Sequence, residues 1–495
     1  MSLLHELQAA LNDQAANNPS GLRDSPTIAI VGDEQLSAWF DVTGLASASM
    51  ASAAASLVRY VMTATGDPRL ATDAAGVTVD QRLASLWFGW SLRPHNWQLP
   101  AAWDELAGDY ETHDGWIKLH TNAPHHKAAV LRVMGPVMGH AKKQTPTRAE
   151  LATAVATKSA SELEDAIVAA GGCAAVLRTQ QQWLAHEQGQ AVQREPLIHW
   201  QTVGSTVGET IGTDKPSVAA SGSQVDIARP LQGVRVLDLT RVLAGPVAGR
   251  FLAGYGAELL RIDPPDWEEP GVVPEVTLGK RCAGLDLATP QDRERFERLL
   301  RSADVLLHGY RAGALANLGY DREALSAINP NLIDVCLNAY GWTGPWKHRR
   351  GFDSLVQMST GIAAHGMRLK GAGKNGKRTP TPLPVQALDH ATGYVLAAAT
   401  LQALDARAHG VVKRAKTSLA RVATLLQTTQ RDQPGTGLSA ESSADIAPTI
   451  EHTAWGDAQR VRWPIQIATM AGPIDAHWST PAGNLRSSPP AWLAT

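Results

Sequence analysis

A repeated alternation of short apolar strands with helical segments is the feature that most restricts the fold of this chain. The segments that alternate between strand and helix are, in order, 234–240, 244–257, 258–265, 290–302, 304–309, 321–328 and 332–341. Strand–helix–strand units of this kind predict a parallel sheet of the doubly wound, Rossmann-like type, with helices on both faces. The predicted fold class is therefore α/β, with a smaller α+β domain elsewhere in the chain.

The domain organisation follows from a segment over 204–230 that is rich in Gly, Ser and Thr and lacks apolar periodicity, as expected of a linker. Before it, a helix of small residues at 44–62, a strand at 114–122 and helices at 148–157 and 160–170 give an α+β pattern. The predicted parts are an N-terminal extension (1–40), the smaller α+β domain (41–203), the linker (204–230), the Rossmann-like domain (231–430) and an irregular C-terminal tail (431–495).

Charge and composition exclude several classes of function. The 495 residues include 45 basic and 47 acidic side chains, so the net charge of −2 predicts no nucleic-acid partner and no attraction to an anionic membrane. The run 44–62 is interrupted by Arg59 and is too rich in Ala and Ser to span a bilayer. We expect a cytoplasmic protein.

Cysteine and histidine spacing predicts no metal site. Cys173, Cys282 and Cys336 are far apart in sequence, which favours free thiols in a reducing compartment over a disulfide scaffold. His125 and His126 are adjacent, and this is not the i, i+4 spacing with which two imidazoles on a helix share a metal. A surface loop is the interpretation that we favour for these two residues.

The turn at 239–249 (LTRVLAGPVAG) joins a predicted strand to a helix whose first amides suit an anion. It lacks the G-x-G-x-x-G pattern of dinucleotide-binding folds, and on this evidence alone Gly245 and Gly249 are better explained by close packing of helix on sheet. Basic residues recur near the predicted strand ends: Arg241, Lys280, Arg281, Arg311, Arg349 and Arg350. Each alone is typical of a surface charge, but together they could neutralise a phosphate-rich ligand.

One acid stands at the head of an apolar run, LPVQALDHATGYVLAAATLQAL (383–404). A helix that opens at about Asp389 would bury Val395, Ala398 and Leu401. Capping of the helix is the default role for an Asp in this position, because Asp is a common N-cap residue. There is no G-x-S-x-G elbow and no Walker A motif elsewhere.

Six segments together resemble the successive motifs of the class III CoA-transferase family, which includes formyl-CoA transferase, carnitine CoA-transferase and alpha-methylacyl-CoA racemase. These segments are LQGVRVLDLTRVLAGPVAGRFLAGYGAELLRIDPP, GKRCAGLDL, ADVLLHGYRAGALANLGYD, NPNLIDVCLNAYGWTGP, RRGFDSLVQMSTGIAAHG and ALDHATGYVLAAATLQAL. The resemblance covers about residues 230–425. It implies a Rossmann-like CoA-binding fold, an interlocked homodimer, and CoA or acyl-CoA as substrate with no permanently bound cofactor.

The resemblance also assigns residues. The acid of ALDHATG matches the family's nucleophile, which makes Asp389 the catalytic residue of a transfer of CoA from an acyl-CoA to a free carboxylic acid through an aspartyl anhydride and an aspartyl-CoA thioester. The positions that match the lining of the CoA site are Arg241, Val242, Leu243, Ala244, Lys280, Arg281, Gly309, Tyr310 and Arg350.

The chain departs from the family pattern at several points. Asn317 stands where the transferases have an arginine, and the Gly-rich loop of formyl-CoA transferase has no counterpart. Phe352 replaces the histidine of the racemases, and a phenyl ring cannot carry a proton, so racemisation is disfavoured unless His365 or His390 supplies a base. Two alternatives stay open: an acyl-CoA racemase or isomerase, and a CoA-binding protein without turnover.

The first half of the chain resembles the part of the family that normally follows the nucleophile. DVTGLASASMASAAASLVRYV (41–61) is similar to the helix after the catalytic segment, and residues 108–135 and 162–192 are similar to the family's small domain. A circularly permuted order would explain this arrangement, since domain termini often lie close together. A degenerate tandem fusion is the alternative.

Overall fold

The computed structural model of the protein describes residues 2–12, 26–70, 75–138, 146–205, 226–373 and 376–493. Within these ranges the strands are β1 (Thr27–Val31), β2 (Gly76–Asp80), β3 (Leu92–Pro94), β4 (Gly108–Glu111), β5 (Trp116–Leu119), β6 (Ala174–Val176), β7 (His199–Ser205), β8 (Arg235–Leu239), β9 (Glu258–Asp263), β10 (Arg281–Gly284), β11 (Val305–His308), β12 (Ile333–Asn338), β13 (Val411–Ser418), β14 (Glu451–Thr453), β15 (Gly456–Arg460), β16 (Ile465–Thr469) and β17 (Gly472–Pro473). The helices are α1 (Leu3–Asn12), α2 (Val42–Thr65), α3 (Gln81–Gly89), α4 (Pro124–Met138), α5 (Arg148–Val155), α6 (Ala160–Ala169), α7 (Gln180–Ala185), α8 (Glu187–Arg194), α9 (Ala244–Gly254), α10 (Val273–Val276), α11 (Pro290–Arg301), α12 (Ala314–Asn317), α13 (Arg322–Ile328), α14 (Asp353–Thr360), α15 (Ile362–Lys370), α16 (Ala387–Ala408) and α17 (Leu419–Leu426).

The largest sheet has the strand order β10-β9-β8-β11-β12-β13-β7. Neighbouring strands from β10 to β13 run parallel, and β7 pairs antiparallel with β13 at one edge. From β8 the chain adds β9 and β10 on one side, and then returns to add β11, β12 and β13 on the other side. The α/β fold class predicted from the sequence is confirmed, and the switch point of the doubly wound sheet lies between β8 and β11.

Both faces of this sheet are buried, as strands rich in Val and Leu require. On one face, Leu237 and Leu306 pack in a cluster with Phe296 of α11. On the other face, Val236 and Val335 belong to the main core, which also contains buried residues of α2, α9 and α16. The predicted strands and helices between residues 234 and 341 are present, with boundaries that differ by a few residues.

The first half of the chain packs on the second along two long helices, α2 and α16. Small side chains dominate both, and Ala46, Ala53, Ala391 and Ala398 are buried. Small residues allow two helices to approach closely and to exclude water along their whole length. By length and composition α2 could cross a membrane, but 89% of its apolar window is buried inside the protein, which is the position of a core helix.

A smaller α+β unit is formed by the sheet β4-β5-β6 and the helices α4, α5 and α6, which share their own hydrophobic cluster. The three cysteines are buried and free. Of the predicted linker, residues 206–225 lie outside the described residues, whereas residues 204 and 205 belong to β7.

The prediction that the tail after residue 430 is irregular needs correction, because the tail contains β14, β15, β16 and β17. β15 pairs with β3 and β16 pairs with β2, so the tail completes two sheets that begin in the first half of the chain. These strands are short and their partners are more than 350 residues away in sequence. Local periodicity therefore does not reveal them.

Candidate active site

A cavity of about 380 Å³ opens at the carboxyl ends of the central strands of the large sheet. Its walls directly follow β8, β11 and β12, which places it at the switch point where doubly wound folds bind ligands. The residues that line it come from both halves of the chain: His125, His126, Leu239, Thr240, Arg241, Val242, Leu243, Ala244, Gly245, Trp267, Gly309, Tyr310, Arg311, Ala314, Leu337, Asn338, Ala339, Arg349, Arg350, Gly351, Phe352, Asp389 and Leu419.

The structure brings most of the residues singled out in the sequence into this cavity. Those that line it are Asp389, Arg241, Val242, Leu243, Ala244, Gly309, Tyr310 and Arg350. They come from four separate segments, which meet because parallel strands of one sheet end at the same edge. Their assignment to catalysis and CoA binding stays a prediction of the sequence.

Lys280 and Arg281 lie away from the cavity. The side chain of Lys280 is fully buried, and its Nζ is 2.9 Å from Oδ2 of Asp238, which is also fully buried. Arg281 donates to the carbonyl oxygen of Ala491 at 2.8 Å and lies 3.6 Å from Glu258. A basic residue that pairs inside the protein and one that contacts a phosphate have the same sequence signature, so the sequence could not separate them.

Two glycines of α9 allow this helix to pack closely on its surroundings. A Cβ on Gly245 would collide with the side chain of Thr240, and one on Gly249 would lie 2.8 Å from Leu259. The close-packing interpretation of these two glycines agrees with this geometry. Val242, in the loop before α9, has φ 64°, which a β-branched residue rarely adopts and which costs energy. Its N–H is held by the Glu269 carboxylate at 2.8 Å.

Two aromatic rings support Arg241 at the cavity wall. Its guanidinium lies 4.9 Å from the ring centre of Trp267 and 5.5 Å from that of Tyr310. Asp263, at 3.9 Å, partly balances the charge. Stacked guanidinium groups are pre-organised for planar anions. No known motif surrounds Trp267, so nothing in the sequence singles it out.

The prediction that Asp389 caps its helix is wrong. The helix α16 begins at Ala387, so Asp389 lies in the first turn rather than before it. Asp353 of α14 serves as the cap instead: its Oδ2 accepts the backbone N–H groups of Leu388 at 2.8 Å and of Asp389 at 3.0 Å. These are the donors that an N-cap side chain would satisfy. The carboxylate of Asp389 is thereby left free to face the cavity.

Asp389 and Asp353 form a pair of buried carboxyl groups. Burial and the negative charge of Asp353 raise the pKa of Asp389 well above its usual range. Burial raises the pKa of Asp353 to about 6, against the hydrogen bonds that it accepts from Gln357, Asp389 and Leu388. Because only Asp353 receives such donors among the described residues, Asp353 ionises first and Asp389 is the more basic group of the pair.

The surface-loop interpretation of His125 and His126 is also wrong. Both lie in the first turn of α4 and line the cavity, and His126 is buried. The Nε2 of His126 lies 3.5 Å from Sγ of Cys173, and burial lowers the pKa of His126 to about 3. The imidazole is therefore neutral at neutral pH. No spacing rule could reveal this, because α4 reaches the cavity only through the packing of the two halves.

Histidines of the first half also surround Phe352. The ring of His120 stacks on Phe352 with centroids 3.9 Å apart, and His126 lies edge-on at 5.7 Å. His365 and His390, which the sequence offered as second bases, do not line the cavity. His390 is buried against Phe88, at 4.9 Å between ring centres.

Arginines give the cavity a positive wall. Arg349 pairs with Glu164 at 2.9 Å, whereas Arg311 and Arg350 form no ion pair among the described residues. Burial and the like charge of Arg350 lower the pKa of Arg311, which places the two guanidinium groups near each other. Two unpaired arginines beside one carboxylate favour an anionic ligand.

One group of side chains in the described part of the chain has the composition of a metal site. The ligand atoms of His308, Asp334 and Cys336 all lie within 4.8 Å of one another on β11 and β12, and His308 and Cys336 are buried. However, the guanidinium of Arg414 lies 3.9 Å from Asp334 and already neutralises it. A fixed positive charge in contact with a ligand opposes a cation, so this group does not revise the prediction that no metal is bound.

These features define an α/β protein with a basic switch-point cavity, in which Asp389 is the one carboxylate among the described lining residues. One region of the chain, residues 231–446, matches CoA-transferase family III. It contains every residue named above as lining the cavity except His125 and His126.

Several relatives match over part of their length. A probable fatty acyl-CoA transferase of Mycobacterium tuberculosis, Rv3272, is 38% identical over 218 residues, which are 41% of this chain and 54% of that protein. The succinate–glutarate CoA-transferase of Agrobacterium fabrum is 36% identical over 152 residues, 27% of this chain and 38% of that protein. A crystal structure of Rv3272 aligns at 37% identity with a TM-score of 0.36, over 41% of this chain and 58% of that chain. The chain thus spans about half, or less, of the length of these relatives.

Proposed function

We propose that the protein is a CoA-transferase that moves CoA from an acyl-CoA to a free carboxylic acid, with Asp389 as the nucleophile. The observation that carries the proposal is the position of Asp389, the one carboxylate among the described residues that line the cavity, within the region that matches the family. A carboxylate held in a basic cavity is suited to attack a thioester and to be regenerated afterwards.

The reaction proceeds in four balanced steps. A carboxylate oxygen of Asp389 attacks the thioester carbonyl, the C–S bond breaks, and the CoA thiolate departs. The product on the enzyme is a mixed anhydride. The thiolate then attacks the carbonyl carbon of Asp389, which forms an aspartyl-CoA thioester and releases the first acid. The incoming carboxylate attacks this thioester, its C–S bond breaks, and a second mixed anhydride forms as the CoA thiolate departs. The thiolate finally attacks the acyl carbonyl of this second anhydride and breaks its bond to the Asp389 oxygen. The last step yields the second acyl-CoA and regenerates the Asp389 carboxylate.

The remaining cavity residues would bind CoA. Arg241 and Arg350 are placed to neutralise phosphates, and Arg241 is already oriented by Trp267 and Tyr310. Backbone N–H groups at the start of α9, which follows Leu243 and Ala244, suit a phosphate or an oxyanion. Lys280 and Arg281 are not included in this site, because both are engaged elsewhere.

The proposal is tested by incubating the protein with a panel of acyl-CoA donors and free acids and following exchange by mass spectrometry. Asp389→Asn should bind CoA nearly as the wild type does and lose transfer by about 10⁴-fold or more, since the amide cannot form the anhydride. Hydroxylamine should label Asp389 in the working enzyme. CoA binding without exchange of any donor and acid pair would favour a binding protein without turnover.

A second candidate function, exchange of the proton next to the thioester carbonyl, is favoured by one observation. His126 lines the same cavity as Asp389, and its buried Nδ1 has no hydrogen-bond partner among the described residues, so it offers a proton-accepting atom that Phe352 lacks. Racemisation or isomerisation would then use His126 and Asp389 as the two bases. Deuterium uptake from D₂O into an acyl-CoA without CoA transfer, lost in His126→Asn, would support this candidate over the transferase.

We also propose the permuted order, a homodimer and a cytoplasmic location. The permuted order is supported by the family match starting at residue 231, while α2 and α4 complete the core and the cavity from the first half. The homodimer rests on the resemblance alone. Size-exclusion chromatography with light scattering should give the mass of two chains, and a monomer at micromolar concentration would contradict it.

A further inference from the structure

The start of α16 is held by a chain of buried hydrogen bonds to two side chains that do not line the cavity. Gln357 of α14 accepts the N–H of Leu383 at 2.7 Å and donates to Oδ1 of Asp353. Oδ2 of Asp353 in turn accepts the N–H groups of Leu388 and Asp389. Asp353 and Gln357 are each 1% exposed. The segment 383–389 is therefore fixed to α14.

The charge of Asp353 is not required for this capping. Asn and Ser cap helices about as well as Asp does, and they add no buried charge. A carboxylate in this position costs desolvation energy and repels the carboxylate of Asp389. An amide would cap the helix with a smaller desolvation energy than a carboxylate. Capping alone therefore does not explain the negative charge.

We propose that Asp353 is a positioning residue for Asp389: it fixes the first turn of α16, and its negative charge makes the Asp389 carboxylate a stronger nucleophile. This inference rests on the proposed function. A more basic carboxylate attacks a thioester more readily once it is ionised, and the anhydride and thioester that follow relieve the repulsion, because both remove the charge of Asp389.

Other charged or titratable groups line the cavity with Asp389. Arg241 follows β8, Arg311 follows β11, Arg349 and Arg350 precede α14, and His125 and His126 belong to α4. The arginines are positive and the buried His126 is neutral. Among the described residues, Asp353 alone acts on Asp389 as a second negative charge, and it accepts the backbone N–H of Asp389.

The test compares wild type with Asp353→Asn in the pH profile of kcat/KM for transfer. The amide keeps the capping oxygen and removes the charge. We expect the acidic limb to move to lower pH by about one unit or more, and the rate on the plateau to fall, while KM for the acyl-CoA changes little. A folded variant with an unmoved acidic limb would overturn the proposal.

A matched control is Asp80→Asn, which neutralises a capping carboxylate of α3 outside the cavity. It should leave the limb in place. If Asp353→Asn does not fold, Asp353→Ser replaces it, since a hydroxyl also caps without charge.

A second measurement does not need activity. In a double-mutant cycle with Asp353→Asn and Asp389→Asn, unfolding midpoints at pH 5 and pH 8 report the coupling between the two groups. We expect a repulsion that grows with pH as the second proton is lost. No coupling at pH 8 would overturn the proposal. Coupling in a protein that transfers CoA to none of the acids would support the charged pair and reject only the transferase assignment.

Discussion

Replacing Glu275 by Gln tests whether the first half, the family region and the tail are joined through one buried ion cluster. Glu275 is fully buried, and its carboxylate contacts Arg250 of α9 and Nη1 of Arg460 of β15 at 3.2 Å. It also accepts the hydroxyl of Ser91 at 2.7 Å and the N–H of Leu92 at 3.1 Å. The substitution thus removes one charge that neutralises arginines from two different parts of the chain.

The size of the expected destabilisation follows from the burial of the ion pair between Glu275 and Arg250. The side chain of Arg250 is 1% exposed and has no other carboxylate partner among the described residues, while Arg460 keeps Glu451 at 2.6 Å. Breaking a buried pair on one side costs about 3–5 kcal/mol, because the remaining charge is left uncompensated. Glu441→Gln breaks the half-exposed pair with Arg93 and should cost about 0–1 kcal/mol.

The assay is thermal and urea unfolding of wild type, Glu275→Gln and Glu441→Gln. The Arg250 and Arg460 charges hold the pKa of Glu275 below its usual value despite burial. A depressed folded-state pKa contributes stability above the unfolded-state value of about 4.3, and this is lost as pH falls. The difference in free energy of unfolding between wild type and Glu275→Gln should therefore be greatest at pH 7 and decrease below about pH 4. Equal stability of the two Gln variants at pH 7 would refute the reasoning.

Further predictions concern the cavity and the residues around it. Gly393→Ala should destabilise the protein by about 1–3 kcal/mol and lower transfer, because its Cβ would collide with the carbonyl oxygen of Ala244. The control Gly135→Ala in α4 meets no atom within 4 Å, so it should be neutral or stabilising in the same unfolding and transfer assays. Arg350→Ala should weaken CoA binding by about 1–3 kcal/mol in calorimetry, with a loss that shrinks at high salt, and an affinity equal to wild type would make Arg350 only a surface charge. Lys280→Ala should instead lower the unfolding midpoint and leave CoA affinity unchanged in the folded fraction, because it leaves the buried carboxylate of Asp238 without its ion-pair partner. Weakened CoA binding without destabilisation would contradict the structural role of Lys280.

The sequence was sufficient for four strands of the large sheet and insufficient for β7, β10 and β13 and for the strands of the tail. The strands β8, β9, β11 and β12 are local apolar runs between helices, and a parallel sheet follows from them by general rules of connection. The pairing of β15 with β3 and of β16 with β2 depends on contacts between opposite ends of the chain. No local pattern encodes such a pairing.

The candidate site shows the same division. Arg241 and Tyr310 could be named because they follow the ends of β8 and β11, and Asp389 because its segment resembles a family motif. His126 could not, because its helix reaches the cavity only when the two halves pack together. Asp353 directly follows Phe352, a position that the sequence resemblance singles out. Its hydrogen bonds to the start of α16, however, depend on the packing of α14 against α16, which no local pattern predicts.

The separation of cap from nucleophile explains how one short helix start can serve both stability and reaction. If Asp389 itself capped α16, its oxygens would be held by backbone N–H groups, which lower the basicity of a carboxylate and turn it away from the cavity. Asp353 instead accepts the backbone N–H groups of Leu388 and Asp389, at 2.8 and 3.0 Å. The side-chain oxygens of Asp389 are thereby left without a donor among the described residues. The cost is a second buried carboxyl group whose pKa is raised to about 6. We propose that this cost serves attack on a thioester rather than the fold, because the neighbouring Asp389 is the one carboxylate among the described residues that line the basic cavity.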